Sequence, residues 1–74
     1  ITLTKREFSD SYLVESNLSG IILSESSLKS ANLSKANLQN AQLQKVDLTS
    51  SNLTDANLEN TNFSNATLSN ANFT

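Results

Sequence analysis

Seven carboxylates and five cationic side chains carry all of the side-chain charge available for chemistry at neutral pH, because the 74-residue chain has neither His nor Cys. Nucleophilic catalysis by a Ser or Thr hydroxyl needs a base beside it, and no imidazole exists to serve. Glu7, Asp10 and Glu15 could in principle act as paired carboxylates, but they are scattered over positions that read as exterior. Zinc-type ligation is excluded without thiolate or imidazole. A calcium-binding β-roll needs Gly-rich turns, and there is one Gly. The expectation is therefore no enzyme, no cofactor and no metal. A net charge of −2 lies too near zero for an electrostatic nucleic-acid binder, so no nucleic-acid partner is expected.

Two other features have the form of functional sites. Asn-x-Ser/Thr triplets at Asn17, Asn32, Asn52, Asn62, Asn65 and Asn72 match glycosylation acceptors. They arise almost automatically from a repeat in which Asn precedes Leu and Ser or Thr follows it, so they are read as structural. Tyr12, Val14 and Ile22 are apolar where the rest of the chain is polar. They are the candidate interaction surface, with Tyr12 as its anchor, since Tyr is enriched among residues that dominate binding energy; a register of twenty residues puts Ile22 on the face opposite Tyr12, so one compact patch does not follow.

What positions these residues is a strict repeat. Ser, Asn and Thr dominate the composition, a bias that usually signals disorder. Yet every fifth position from Leu3 to Phe73 is Leu or Phe, and neither residue occurs anywhere else. A helix would smear a period of five around its axis, and a straight strand would alternate it between two faces. The chain must therefore turn once per repeat, with about three extended residues and a two-residue corner. Two residues before each Leu stands a small or apolar residue, as at Ala31, Ala36, Ala41 and Val46, which shares strand parity with the Leu and points inward with it. Arg6 interrupts that inward series and is expected to point out of an open first coil.

The corner charges indicate how many repeats close one turn. Lys5, Glu25 and Lys45 are spaced by twenty residues, as are Glu15, Lys35 and Asp55. A twenty-residue coil stacks both sets as ladders of alternating sign, whereas a fifteen-residue coil places Asp10 on Glu25. Asn17, Asn37 and Asn57, and likewise Asn32, Asn52 and Asn72, fall at the same spacing, and side-chain amide ladders between coils are expected there.

The stretch Ala31-Asn32-Leu33-Ser34-Lys35-Ala36-Asn37-Leu38 resembles the A(D/N)LXX signature of pentapeptide-repeat proteins, as do Ala56-Asn57-Leu58 and Ala71-Asn72-Phe73. The resemblance covers the whole chain. It implies an all-β fold, a right-handed quadrilateral parallel β-helix of just under four coils of 20 residues, as one domain over residues 1–74. No capping helix is visible, so the native chain is expected to continue past these ends or to be covered there by a partner. Uncapped coils also invite end-to-end association.

For function, the reading is a non-catalytic scaffold or protein-interaction module with an unidentified protein partner. One alternative is a DNA-mimicking topoisomerase (gyrase) inhibitor within a longer acidic protein, a role that the resemblance suggests. The other is a passive spacer attached to another activity. No apolar run approaches the ~20 residues needed to span a bilayer, so membrane insertion is not expected. The resemblance suggests a bacterial, in particular cyanobacterial, source. A cytoplasmic location is favoured, with periplasm or thylakoid lumen as alternatives.

Overall fold

The computed structural model describes residues 1–74, and all of its β-bridges are parallel and join residues twenty apart: Thr2 with Ile22, Tyr12 with Asn32, Asn32 with Asn52, Asn52 with Asn72. A chain paired with itself only in this way is a parallel β-helix. Each coil carries four faces. We name them after their central leucines: the Leu43 face (Leu3, Leu23, Leu43, Phe63), the Leu48 face (Phe8, Leu28, Leu48, Leu68), the Leu53 face (Leu13, Leu33, Leu53, Phe73) and the Leu38 face (Leu18, Leu38, Leu58).

Five backbone N–H groups per repeat must find acceptors. The Leu N–H donates to the following coil, as from Leu33 to the Asn52 carbonyl at 2.7 Å. The corner N–H does the same, from Lys35 to Thr54 at 2.8 Å. The residue before Leu donates to the preceding coil, from Asn52 to Ala31 at 2.9 Å. A fourth N–H closes the turn, from Ala36 to Leu33 at 3.0 Å. Only the N–H after Leu is left without a backbone acceptor. The extended stretch is shorter than the sequence suggests, since a single bridging residue per repeat pairs between coils.

At the corners, every second turn residue has φ between 56° and 71°. Gly20 is the one position where this conformation costs nothing. Elsewhere Asn40, Asn60, Asn65, Asn70, Asp10 and Asp55 tolerate it, while Lys, Glu and Ser at the remaining corners carry a steric cost. The corner closes by a turn hydrogen bond throughout, except at Leu3–Arg6. There Ser26 intervenes: Arg6 N–H donates to its Oγ at 3.0 Å, and that hydroxyl donates to the Leu3 carbonyl at 2.8 Å. Arg6 itself is exposed, as expected.

The core is a stack of Leu from Leu23 to Leu53, each at most 3 % exposed, lined by Ala31, Ala36, Ala41 and Val46. Phe63 and Phe73 stand on opposite faces of the last coil and meet edge to face across the axis, with centroids 6.1 Å apart. They close the Leu43 and Leu53 stacks in the last coil, while Leu68 in the same coil stays 39 % exposed. The molecule is nearly as wide as it is long, 24 × 21 × 19 Å.

Candidate interaction surface

The outer faces are built from the residues on either side of each Leu. The one before Leu usually supplies a side-chain oxygen to the otherwise orphaned N–H after Leu. Asn17, Asn32, Asn37, Asn52, Asn57, Asn62 and Asn72 do this through Oδ1 at 2.9–3.2 Å. Asp47 caps Thr49 in the same way at 3.0 Å, Glu7 caps Ser9 at 3.1 Å, and Ser27 caps Lys29 at 3.4 Å. The motif is an Asx-type turn, which explains why Asn or Asp occupies this position. It also corrects the expected amide ladders. The Asn columns do align between coils, but each side-chain carbonyl is committed to its own repeat, and no amide-to-amide bond joins neighbouring coils. Side-chain bonds that cross between coils come from other residues: Ser24 Oγ to Gln44 Oε1 at 3.0 Å, and Gln39 Nε2 to Glu59 Oε1 at 2.7 Å.

Capping polarises the faces. A backbone N–H only donates, so each capping Asn must turn its oxygen inward and its NH₂ outward. Where Thr follows the Leu, its hydroxyl adds a second bond to the same oxygen, as from Thr54 to Asn52 at 2.6 Å and from Thr74 to Asn72 at 2.7 Å. Seen from outside, the Leu53 and Leu38 faces present columns of amide donors.

The strongest local electrostatics lie on the Leu48 face. The hydroxyl and N–H of Ser9 hold the Glu7 carboxyl below its ordinary range, with Ser27 and Lys29 contributing. The hydroxyl and N–H of Thr49 do the same for Asp47, again helped by Lys29. The Lys29 charge thus acts on both carboxylates from one position, without a direct ion pair to either. This cluster is invisible as a sequence motif, and only the twenty-residue stacking brings it together. The two corner ladders do align in the expected register, yet their side chains form no direct ion pair.

The candidate residues separate. Tyr12 is 76 % exposed and Val14 is half-buried beside it on the Leu53 face. Ile22 is half-buried on the opposite, Leu43 face, between Thr2 and Gln42. Tyr12 and Ile22 share one property: neither can cap, so the N–H groups of Val14 and Ser24 have no acceptor within the chain. The surface has no cavity, and no three acidic side chains gather where they could hold a metal ion. No helix is long and apolar enough to cross a membrane.

A four-faced β-helix of five-residue turns, with outward Asn caps and an inward Leu stack, defines a class of solenoid repeat protein. The chain matches the family described as a pentapeptide repeat region over residues 1–73, and it belongs to that family. No curated protein matches it. Among solved structures, it is similar to alr5209, a pentapeptide repeat protein from Nostoc Pcc 7120, at 32 % identity and a TM-score of 0.87, over 88 % of this chain and 54 % of that one. It is also similar to Rfr23 from the cyanobacterium Cyanothece 51142, at 31 % identity and a TM-score of 0.57, over 99 % of this chain and 64 % of the other. A pentapeptide repeat protein of the Arabidopsis thaliana thylakoid lumen matches at 31 % identity and a TM-score of 0.57, over 95 % and 56 %. The chain therefore spans between about half and two thirds of the length of these relatives.

Proposed function

We propose that this chain is a non-catalytic protein-interaction module, a right-handed quadrilateral prism of just under four coils presenting rigid polar faces. The observation that carries this reading is Tyr12, an aromatic ring 76 % exposed on a face whose other coils place Asn32, Asn52 and Asn72 at the same position. Its mechanism is preorganisation. The coils are hydrogen-bonded to each other along every face, so a partner meets a surface that loses little conformational entropy on binding. Membership of the family and the lack of any base beside a nucleophile support the non-catalytic part. The two cyanobacterial relatives and the thylakoid-lumen relative support a source in a photosynthetic lineage, with the lumen among the compartments to test. DNA mimicry draws less support, because the molecule is nearly isometric and its charge is weak, with the Leu43 face net positive and each of the other three carrying a single net negative charge.

Affinity capture from the source lysate, with the folded chain as bait, tests the reading. The expected result is a partner retained by the wild type and lost by the Tyr12→Ser/Val14→Ser/Ile22→Ser variant. Equal recovery by both would place the contact away from these three residues, and no specific partner for either folded bait would favour a passive spacer.

A further inference from the structure

We propose that the Leu43 face docks carboxylate side chains from an extended acidic segment of a protein partner. This rests on the reading of the chain as an interaction module and names the chemistry of what it binds. The argument starts from the cap. Where the N–H after Leu is capped, the acceptor two residues before it is a carboxamide or carboxylate oxygen at 2.9–3.2 Å, except at Lys29, where the Ser27 hydroxyl accepts at 3.4 Å. On the Leu43 face that oxygen is missing three times in succession. Thr2, Ile22 and Gln42 occupy the capping position, and the N–H groups of Thr4, Ser24 and Gln44 have no acceptor within the chain. Ile22 has no oxygen to offer. Gln42 does not turn back on its own repeat as Glu7 does, and its Oε1 instead accepts from Gln44 Nε2 at 3.5 Å. The result is a column of free donors repeating at the coil spacing of ~4.8 Å. The other uncapped N–H groups, of Val14 and Ser69, stand alone on their faces.

Charge points to the same class of ligand. The corner that ends this face carries Lys5 and Lys45, both exposed, with Glu25 between them. Lys29, on the adjoining face, already has Glu7 and Asp47 within reach of its charge. A carboxylate seated on a free N–H beside Lys5 or Lys45 gains a charge-assisted hydrogen bond and a nearby cation. Half-buried Ile22 gives the methylenes of a Glu side chain an apolar surface to lie on. Glu25 selects among polyanions. A peptide can place its carboxylates at the two lysines and present an uncharged oxygen to the Ser24 N–H between them, whereas an evenly charged phosphate backbone sets an anion beside Glu25.

The test is a titration of the ¹⁵N-labelled chain with a short peptide alternating Glu and Ser, followed by amide chemical shift. Saturable shifts are expected at Thr4, Ser24 and Gln44, with the capped amides of Ser34 and Thr54 unmoved. The matching Gln/Ser peptide should bind roughly tenfold more weakly, the loss expected when a hydrogen bond to a charged group becomes neutral. Ile22→Asn restores the cap within the chain, so it should keep its melting temperature and abolish the Ser24 shift. No shift, equal shifts at the capped amides, equal binding of oligothymidylate, or a Ser24 shift that survives in Ile22→Asn would each overturn the site. The peptide series on the wild type stands even if that variant folds poorly. A lysate partner lost by Tyr12→Ser but kept by Ile22→Asn would uphold the module and overturn this site. Peptide binding as expected with no captured partner would do the reverse.

Discussion

The middle of the solenoid and its ends are made of the same repeat and behave differently. Leu33, Leu38, Leu43 and Leu48 are wholly buried, yet Leu68 is 39 % and Phe73 44 % exposed at the same position of their repeats. Ala41 is buried, whereas Ile1 on the same face is 89 % exposed. What differs is the number of neighbouring coils. Each central Leu has a Leu or Phe twenty residues before it and another twenty after, and each terminal one has a neighbour on one side only. Burial in this fold is therefore a property of stacking rather than of residue type, and stability is shared between repeats and the interfaces that join them.

The most severe way to break the comparison is charge in the axis. Leu38→Lys should unfold the chain, since an unpaired ammonium there has no water and no partner. Leu68→Lys should leave a folded, cooperatively melting protein, because its side chain can reach solvent. Circular dichroism and thermal melting check both, and equal effects at the two sites would contradict the stacking account.

A smaller change should strengthen the middle. The hydroxyl of Ser51 is buried and has no hydrogen-bond partner. Its counterparts manage better: Ser26 donates to the Leu3 carbonyl at 2.8 Å and Thr61 to the Leu38 carbonyl at 2.7 Å. Ser51→Ala should raise stability by about 1 kcal/mol by removing an unsatisfied group. Ser26→Ala should lower it by a similar amount, because it strands the Arg6 N–H and the Leu3 carbonyl. Denaturant midpoints at unchanged slope are the measurement.

The capping Asn residues sharpen the contrast further. Asn52→Ala exposes the Thr54 N–H in the middle of the stack and should cost roughly 0.5–1.5 kcal/mol. Asn72→Ala, on the same face of the last coil, should cost less, as its repeat is already open to water. Chemical denaturation of the two single variants compares them directly.

Acid should have the mildest effect. Glu7 and Asp47 both have carboxyl pKa values lowered by folding, first by the hydroxyls of Ser9 and Thr49. Groups shifted in this direction contribute stability that is fully present above the ordinary carboxylate range, around pH 4, and lost as pH falls through the lowered folded values. Stability should therefore be flat near neutrality and decline below about pH 4. Thr49→Ala should move the Asp47 titration back toward that range in a carboxyl NMR titration. An unchanged Asp47 curve would show that the Thr49 hydroxyl is not the cause.

Much of this fold is legible in the sequence. The period of five identified every inward Leu and Phe, and the corner charges selected twenty residues per coil, which the bridges bear out. Those charges marked the register without forming ion pairs along either ladder, while backbone bonds hold every coil to the next. Tyr12, Val14 and Ile22 stood out as apolar intrusions, and the same spacing placed Ile22 on the face opposite Tyr12. The Asn columns were legible as columns but not as caps. Their oxygens serve a backbone N–H two residues away, and that depends on the local turn geometry rather than on the partner column. The uncapped run at Thr2, Ile22 and Gln42 leaves a trace in the sequence only once the cap is understood.

By itself, then, the sequence determined direction: which side chains face the axis, where the chain turns, and which residues lie above one another. A fixed repeat of inward apolar residues permits little else, because any other winding would expose them. The tertiary structure decided neighbourhood. It alone settles that Ser26 finds a carbonyl and Ser51 does not, that the Ser9 and Thr49 hydroxyls hold Glu7 and Asp47, and that identical leucines are dry in the middle and wet at the ends. The physical reason is that hydrogen bonding and burial depend on atoms contributed by another coil, twenty residues away, to which a five-residue pattern is blind.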